Sequence, residues 1–550
     1  MYDLIVRNGC VVDGSGLSGF VADVGVSDGV IDRIGGTMVG SAKHQIDASG
    51  KIVCPGFIDP HAHFDAQLLF DGQARPMPEH GVTTVVTGNC SLSFAPMRER
   101  DRTSFVKMFQ LIEEMPDAVF EGAFTWNWES FDGYVKAIGD SLAINVVPLV
   151  GHTAIRMWVM GGETRAATAD EIRQMQDLLR LCIEAGAGGL STSCIDSDPK
   201  YQPVPCRYAY GDEFAALCEV LGEYGKVLQV VPEFFYLDLV LARIDQLADI
   251  SIKYGITTTI SPLFDSGAQP ERTDVIMRRI KQQQKRGARI WPQVQTRAID
   301  ISFTFDIGSV YFGNSPIWYR TLLLPREEKL EKLRDAEYRE KMVSAVEKKG
   351  NTDRFADLVV RDSADQSIIG RSLRELADER CSTPANVMID VSLEEDLKTC
   401  FIAENMDHDN IERVGPLLAD DHVHIGASDA GAHIQSFATY GDTGYLFSEF
   451  VRKGGYLSLE QAVKKITLDT ASIWGIQNRG LLRKGYAADL AVFDAATIGR
   501  GPEVPVHDLP GKGMRYIRES EGISTTIVNG EVVWTADDGY TDACSGMVVA

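Results

Sequence analysis

The chain reads as an α/β protein: a (β/α)8 barrel of the TIM type, with a small β-sandwich domain assembled from both termini. Two observations predict this. Between about 55 and 477, short apolar runs alternate with helical patterns, at 57–58, 83–87, 144–149, 189–191, 227–231, 257–260, 289–293 and 424–427. Repeated βα units of that kind imply a parallel sheet, and this number of them suits a closed barrel. Outside that span the texture changes. Asn8-Gly9, Asp13-Gly14 and Asp28-Gly29 separate short strands near one end, and Asn529-Gly530 lies between two apolar runs near the other, a strong hairpin signal. Segments 1–54 and 478–550 are therefore expected to fold together, around a barrel at 55–477.

Each barrel unit follows the same logic. The strand candidates are short and β-branched, and helical patterns such as 169–184, 212–223, 237–254, 274–286 and 459–467 follow or separate them. In such a barrel the polar residues just past each strand face a common mouth. One region breaks the alternation. From about 303 to 407 runs a charged, mostly helical insertion that includes 326–348. Its charges are expected to face solvent, while its place after the seventh strand suits a lid or pocket wall.

Composition excludes several functions. The 550 residues are 44% hydrophobic and 24% charged, ordinary for a globular protein, but the formal net charge is −24. That disfavours nucleic acid and anionic membrane as partners. A small-molecule substrate is expected, and an anionic one requires local cations in the pocket. The ten cysteines include no CxxC pair, no signal peptide is visible, and no apolar run reaches membrane-spanning length. Reduced thiols, a cytoplasmic location and a homo-oligomer are the expectations.

The chemistry starts at Pro55-Gly56-Phe57-Ile58-Asp59-Pro60-His61-Ala62-His63-Phe64-Asp65. Side chains alternate along a strand, so His61 and His63 leave the same face and can converge on one ion. Two imidazoles at that spacing make half of a zinc site. The second strand ends in Val85-Val86-Thr87-Gly88-Asn89-Cys90; a thiolate there can ligate zinc, although such a cysteine is equally read as an inert buried thiol. The eighth ends in Gly426-Ala427-Ser428-Asp429. A carboxylate at that end can touch a metal and also manage the proton of an activated water; the plainer reading of Ser-Asp is a helix cap. His433 is read as a substrate contact or an outer partner of the ligands.

These motifs resemble the amidohydrolase superfamily, and within it the D-aminoacylase (N-acyl-D-amino-acid deacylase) family. Gly81–Cys90, Gly151-His152-Thr153-Ala154-Ile155-Arg156, Gly186–Thr192, Gly485-Tyr486-Ala487-Ala488-Asp489-Leu490 and His507-Asp508-Leu509-Pro510-Gly511 extend the resemblance over nearly the whole chain. It implies a barrel with a split β-sandwich, and a zinc-activated water attacking the amide of an N-acyl D-amino acid. By position it makes His61, His63 and Cys90 metal ligands, and Asp429 the strand-eight general base.

Two departures stand out. The family's fifth and sixth strands each end in a metal-binding histidine, whereas here Gln229 and Ser261 or Pro262 occupy those places. Three outcomes follow. One zinc ion is held by His61, His63 and Asp429, with Cys90 as a candidate fourth ligand; or Glu233 or Asp265 rebuilds a second site; or the chain is a non-catalytic binding protein on this scaffold. Altered ligands also open the substrate to a cyclic amide, carbamate, lactone or other ester. Around the mouth, His152 is a candidate for steadying an oxyanion. Arg297 and Arg156 are candidates for a substrate carboxylate, with a loop salt bridge as the competing role for Arg297. Tyr201 is a candidate pocket wall, and Trp291, Trp318 and Tyr319 hint at an apolar subsite.

Overall fold

A computed structural model describes residues 1–549 except 140, 201, 210, 235, 268, 308, 314, 349–351 and 427. Its centre is an eight-stranded parallel sheet. The strands run in chain order: Phe57–Asp59, Val82–Thr87, Asn145–Gly151, Gly189–Ser193, Val227–Val231, Thr257–Ile260, Arg289–Val294 and His424–Ile425. All eight lie where the apolar runs predict them. Most are buried along their whole length, Val-Thr-Thr-Val-Val-Thr at the second being typical, because helices cover one face of a parallel strand and the barrel interior the other.

The curl is joined at its ends by backbone, just beyond the strands themselves. Ala62 bridges Ala430 in parallel; His63 N donates to Ala430 O at 2.7 Å and Asp429 N to His61 O at 3.1 Å. The hydrogen bonds between the first and last units are therefore made by the residues that carry the chemistry.

Strands from both ends of the chain share one continuous nine-stranded sheet. Its seam pairs Leu490–Phe493 with Ile52–Pro55, and Leu4, Val6, Val24, Val53, Leu490 and Ile527 are buried together there. A separate hairpin, Gly499–Leu509 with Gly513–Glu521, reaches away from this sheet, and its Tyr516 N donates to Ile434 O at 2.8 Å.

The segment after the seventh strand has a core of its own. Ile301–Phe303, Val359–Asp362 and Cys400–Ala403 form a small antiparallel sheet, and Phe305, Phe312, Trp318 and Phe355 share a core with its Phe303 and Phe401. Trp318 and Tyr319 belong to this core, and Trp291 packs in a different cluster with Ile58, Ile473 and Trp474. The aromatic subsite expected of them does not form. Phe437, just past the eighth strand, also packs on the insertion's core, and Arg361 pairs with Glu503 of the hairpin at 2.6 Å. Among the described residues no helix is long and apolar enough to cross a membrane.

Candidate metal centre

Four side chains from three neighbouring units converge past the strand ends. His61 Nε2 lies 3.3 Å from Cys90 Sγ and 3.3 Å from Asp429 Oδ1. His63 Nε2 lies 3.8 Å from Cys90 Sγ and 3.1 Å from Asp429 Oδ1. Around an ion with bonds of about 2.0–2.3 Å, tetrahedral donors stand roughly 3.3–3.7 Å apart. The donor set and its spacing fit a zinc-sized cation. Among the described residues, His61, His63 and Cys90 are also the one group of three or more ligand-type side chains close enough to share an ion.

Charge tells the same story. Burial alone would pull an imidazole toward the neutral form. At His61 it does so, but Cys90 and Asp429 more than reverse it and push the ring up to about 10. At His63 burial is likewise outweighed by Glu113, Cys90 and Asp429. Burial raises the Asp429 carboxyl, yet the two imidazoles hold it well below the ordinary range. A buried cluster this rich in anionic donors attracts a cation, whether protons or a metal.

The backbone is bent to make it. Cys90, Asp429 and His433 all sit at positive φ (57°, 63° and 50°), where side chains other than glycine are uncommon and the surroundings must hold them.

Each imidazole is oriented from behind. His61 Nδ1 has Ser261 Oγ at 2.8 Å and Gln293 Oε1 at 3.2 Å, which leaves Nε2 for the ion. Gln229 Oε1 accepts from Cys90 N at 3.0 Å. So the polar residues on the fifth, sixth and seventh strands do reach the site, as outer partners of the ligands. Asp59, raised to about 6 by burial despite bonds from Ser428 and His61 N, ties the first unit to the eighth.

Other expected site residues are placed differently. His152 is wholly buried with both ring nitrogens engaged, Nδ1 by Thr192 Oγ1 at 3.0 Å and Nε2 by Glu213 Oε1 at 2.8 Å. No nitrogen remains for an oxyanion. Arg156 is buried and bonds the same Glu213 and Arg165 O. Arg297 donates to Asp442 Oδ2 at 2.8 Å and stacks over Phe437, so it does anchor a loop beside the mouth. Glu233 is paired with Arg243 and Asp265 with Arg413; neither joins the cluster among the described residues. Tyr201 lies outside the described residues. His433 reaches Asp429 Oδ2 at 3.6 Å and stacks on Phe437.

Sequence reading missed Glu113. It follows the helix Arg102–Ile112, and its Oε1 lies 3.1 Å from His63 Nδ1. Adjacent glutamates after an amphipathic helix look like a solvated end, and no local pattern marks them as buried.

The family described as "Amidohydrolase family" matches residues 45–226 and 333–534. The chain belongs to the amidohydrolases, in the group that holds the D-aminoacylases. It is 30% identical to an uncharacterised protein of Mycobacterium tuberculosis, over 90% of this chain and 84% of that one. It is 27% identical to the D-aminoacylase of Alcaligenes xylosoxydans xylosoxydans, over 100% of this chain and 98% of that enzyme. Among solved structures, the N-acyl-D-glutamate deacylase of Bordetella bronchiseptica, complexed with zinc and a phosphonate inhibitor, superimposes with a TM-score of 0.71 at 25% identity, covering 100% and 99% of the two chains.

Proposed function

We propose that this chain is a zinc-dependent hydrolase of carbon–nitrogen bonds other than peptide bonds, acting on an N-acyl D-amino acid or a closely related amide. The observation that carries the reading is the convergence of His61 and His63 on Cys90 and Asp429 beyond the barrel strands, each Nε2 standing 3.1–3.8 Å from the sulfur and the carboxylate oxygen. One ion is proposed, because the fifth and sixth strands offer an amide and a hydroxyl where a second set of ligands would stand. Zinc, when bound, lowers the pKa of water and polarises a carbonyl.

The chain's own groups supply the rest. Asp429, ionised and about a quarter exposed at its side chain (27%), takes a proton from the attacking water and returns it to the leaving nitrogen. His433 stands against its second oxygen and faces the substrate side. Arg297, beside Phe437, is the cation assigned to a substrate carboxylate, sharing its charge with Asp442. The insertion 303–407, joined to this loop through Phe437, serves as the pocket's outer wall.

A second reading keeps the machinery and changes the bond to that of a cyclic amide, a carbamate or a lactone. The buried amide nitrogens of Gln229 and Gln293, which have no hydrogen-bond partner among the described residues, favour it by offering neutral donors behind the site. The test is turnover by zinc-loaded protein on N-acyl D- and L-amino acids beside those three classes, with metal content measured by elemental analysis. Preferential cleavage of D-substrates with one ion per chain is expected. No turnover on any class, together with tight substrate binding, would overturn the hydrolase reading and leave a binding protein.

A further inference from the structure

We propose that Glu113 is the positioning residue that sets the metal affinity of the centre, by holding His63 with Nε2 toward the ion. The proposal rests on the metal-centre reading above and goes beyond it by naming a residue outside the ligand set.

A carboxylate in a chain of net charge −24 has every reason to stay in water. Glu113 is nevertheless 1% exposed. Its Oε1 and His63 Nδ1 stand 3.1 Å apart as a buried ion-pair contact, and neither atom makes a hydrogen bond to any described residue. What joins the two is charge and proximity. An imidazole carries one proton on one nitrogen when neutral, so a carboxylate at Nδ1 keeps the proton there and frees the Nε2 lone pair. Nε2 itself faces Asp429 Oδ1 at 3.1 Å and Cys90 Sγ at 3.8 Å, the donors with which it would share an ion.

The two ligand histidines are thus built unequally. His61 has a hydroxyl and an amide behind it, both neutral. His63 has a carboxylate, whose negative charge beside Nδ1 favours a proton there and raises the ring's donor power. Glu113 is also firmly placed. It ends a helix whose Phe105, Met108 and Phe109 are buried in the barrel core, while Leu111 packs on the core of the insertion. The carboxylate is delivered by packing on two sides rather than by a flexible loop.

The test is a zinc titration of the full chain, stripped of metal and competing with a chromophoric chelator. Glu113→Ala is expected to weaken zinc binding about 10–100-fold, and Glu113→Gln, which keeps the shape and loses the charge, to weaken it by a smaller factor. Cobalt-substituted protein gives a second readout: the visible ligand-field bands of Glu113→Gln should shift, while the melting temperature of the metal-free protein stays at the wild-type value. If Glu113→Ala folds poorly, Glu113→Gln alone decides. Zinc affinity and cobalt spectrum equal to wild type in Glu113→Gln would overturn the proposal and leave the metal centre standing. A wild-type chain that binds no zinc at micromolar concentration would overturn both, and the two failures are distinguishable.

Discussion

Two sets of buried histidines divide the barrel. His61 and His63 are enclosed by Cys90, Asp429 and Glu113, and their rings are pushed toward the charged form. His80 and His424 are just as buried, yet they are held neutral, down to about 4 and about 3. Burial dominates at both of the latter; Arg500 and Arg518 push His80 further down, and Lys465 does the same to His424. His424 Nε2 accepts from Trp474 Nε1 at 3.1 Å, a bond that suits a neutral ring. Desolvation is common to both sets, so it does not set them apart. The anionic neighbours do.

The largest effect should come from breaking the first set. Asp429→Asn removes the proton acceptor and a negative donor while keeping the shape. A fall of about 10²–10⁴ in kcat is expected, read on the best substrate of the panel at saturating zinc. A kcat within a few-fold of wild type would assign proton handling elsewhere.

The second set is tested by acid. His424 in the folded chain stays neutral down to about pH 3, whereas an unfolded histidine binds its proton near 6.5. Between those values the unfolded state holds more protons, so the stability contributed by this site is present above about 6.5 and is lost as the pH falls toward 3. Denaturant midpoints of wild type and His424→Gln, measured from pH 7 to pH 4, should converge as the pH drops. Curves that stay parallel would show that His424 does not titrate this way.

A smaller effect sharpens the comparison within the site. Gln293→Leu removes one of the two neutral acceptors behind His61 and leaves Ser261 in place. Zinc affinity should fall by less than about tenfold, below the loss expected for Glu113→Ala. The reverse order would mean that the neutral side governs the centre. The finest probe is Cys90→Ser in the cobalt-substituted protein. If the thiolate is a ligand, the sulfur-to-metal charge-transfer absorption disappears; an unchanged spectrum would make Cys90 a spectator.

Much of this was legible without coordinates. Apolar β-branched runs at 83–87 or 227–231 admit few readings other than buried parallel strands, and their number and alternation with helices specify the barrel. His61 and His63 were legible because two residues on one strand share a face by covalent geometry alone. Asp429 and Cys90 were legible as strand-end residues, since every strand end of a barrel opens on the same mouth.

Tertiary structure decided the rest. His152 and Arg156 stand one helical turn apart at a strand end, and nothing local reveals that Glu213, on a later helix, claims both. Glu113 reaches His63 across 50 residues of chain, brought there by a helix packed between two hydrophobic cores. Gln229 and Ser261 were visible as replacements for expected ligands, but only the geometry shows them, with Gln293, acting as supports. The alternation of a strand is set by the backbone of that strand, so a sequence carries it openly. Which buried group answers another depends on how separate elements pack, and that is settled only when the chain is folded.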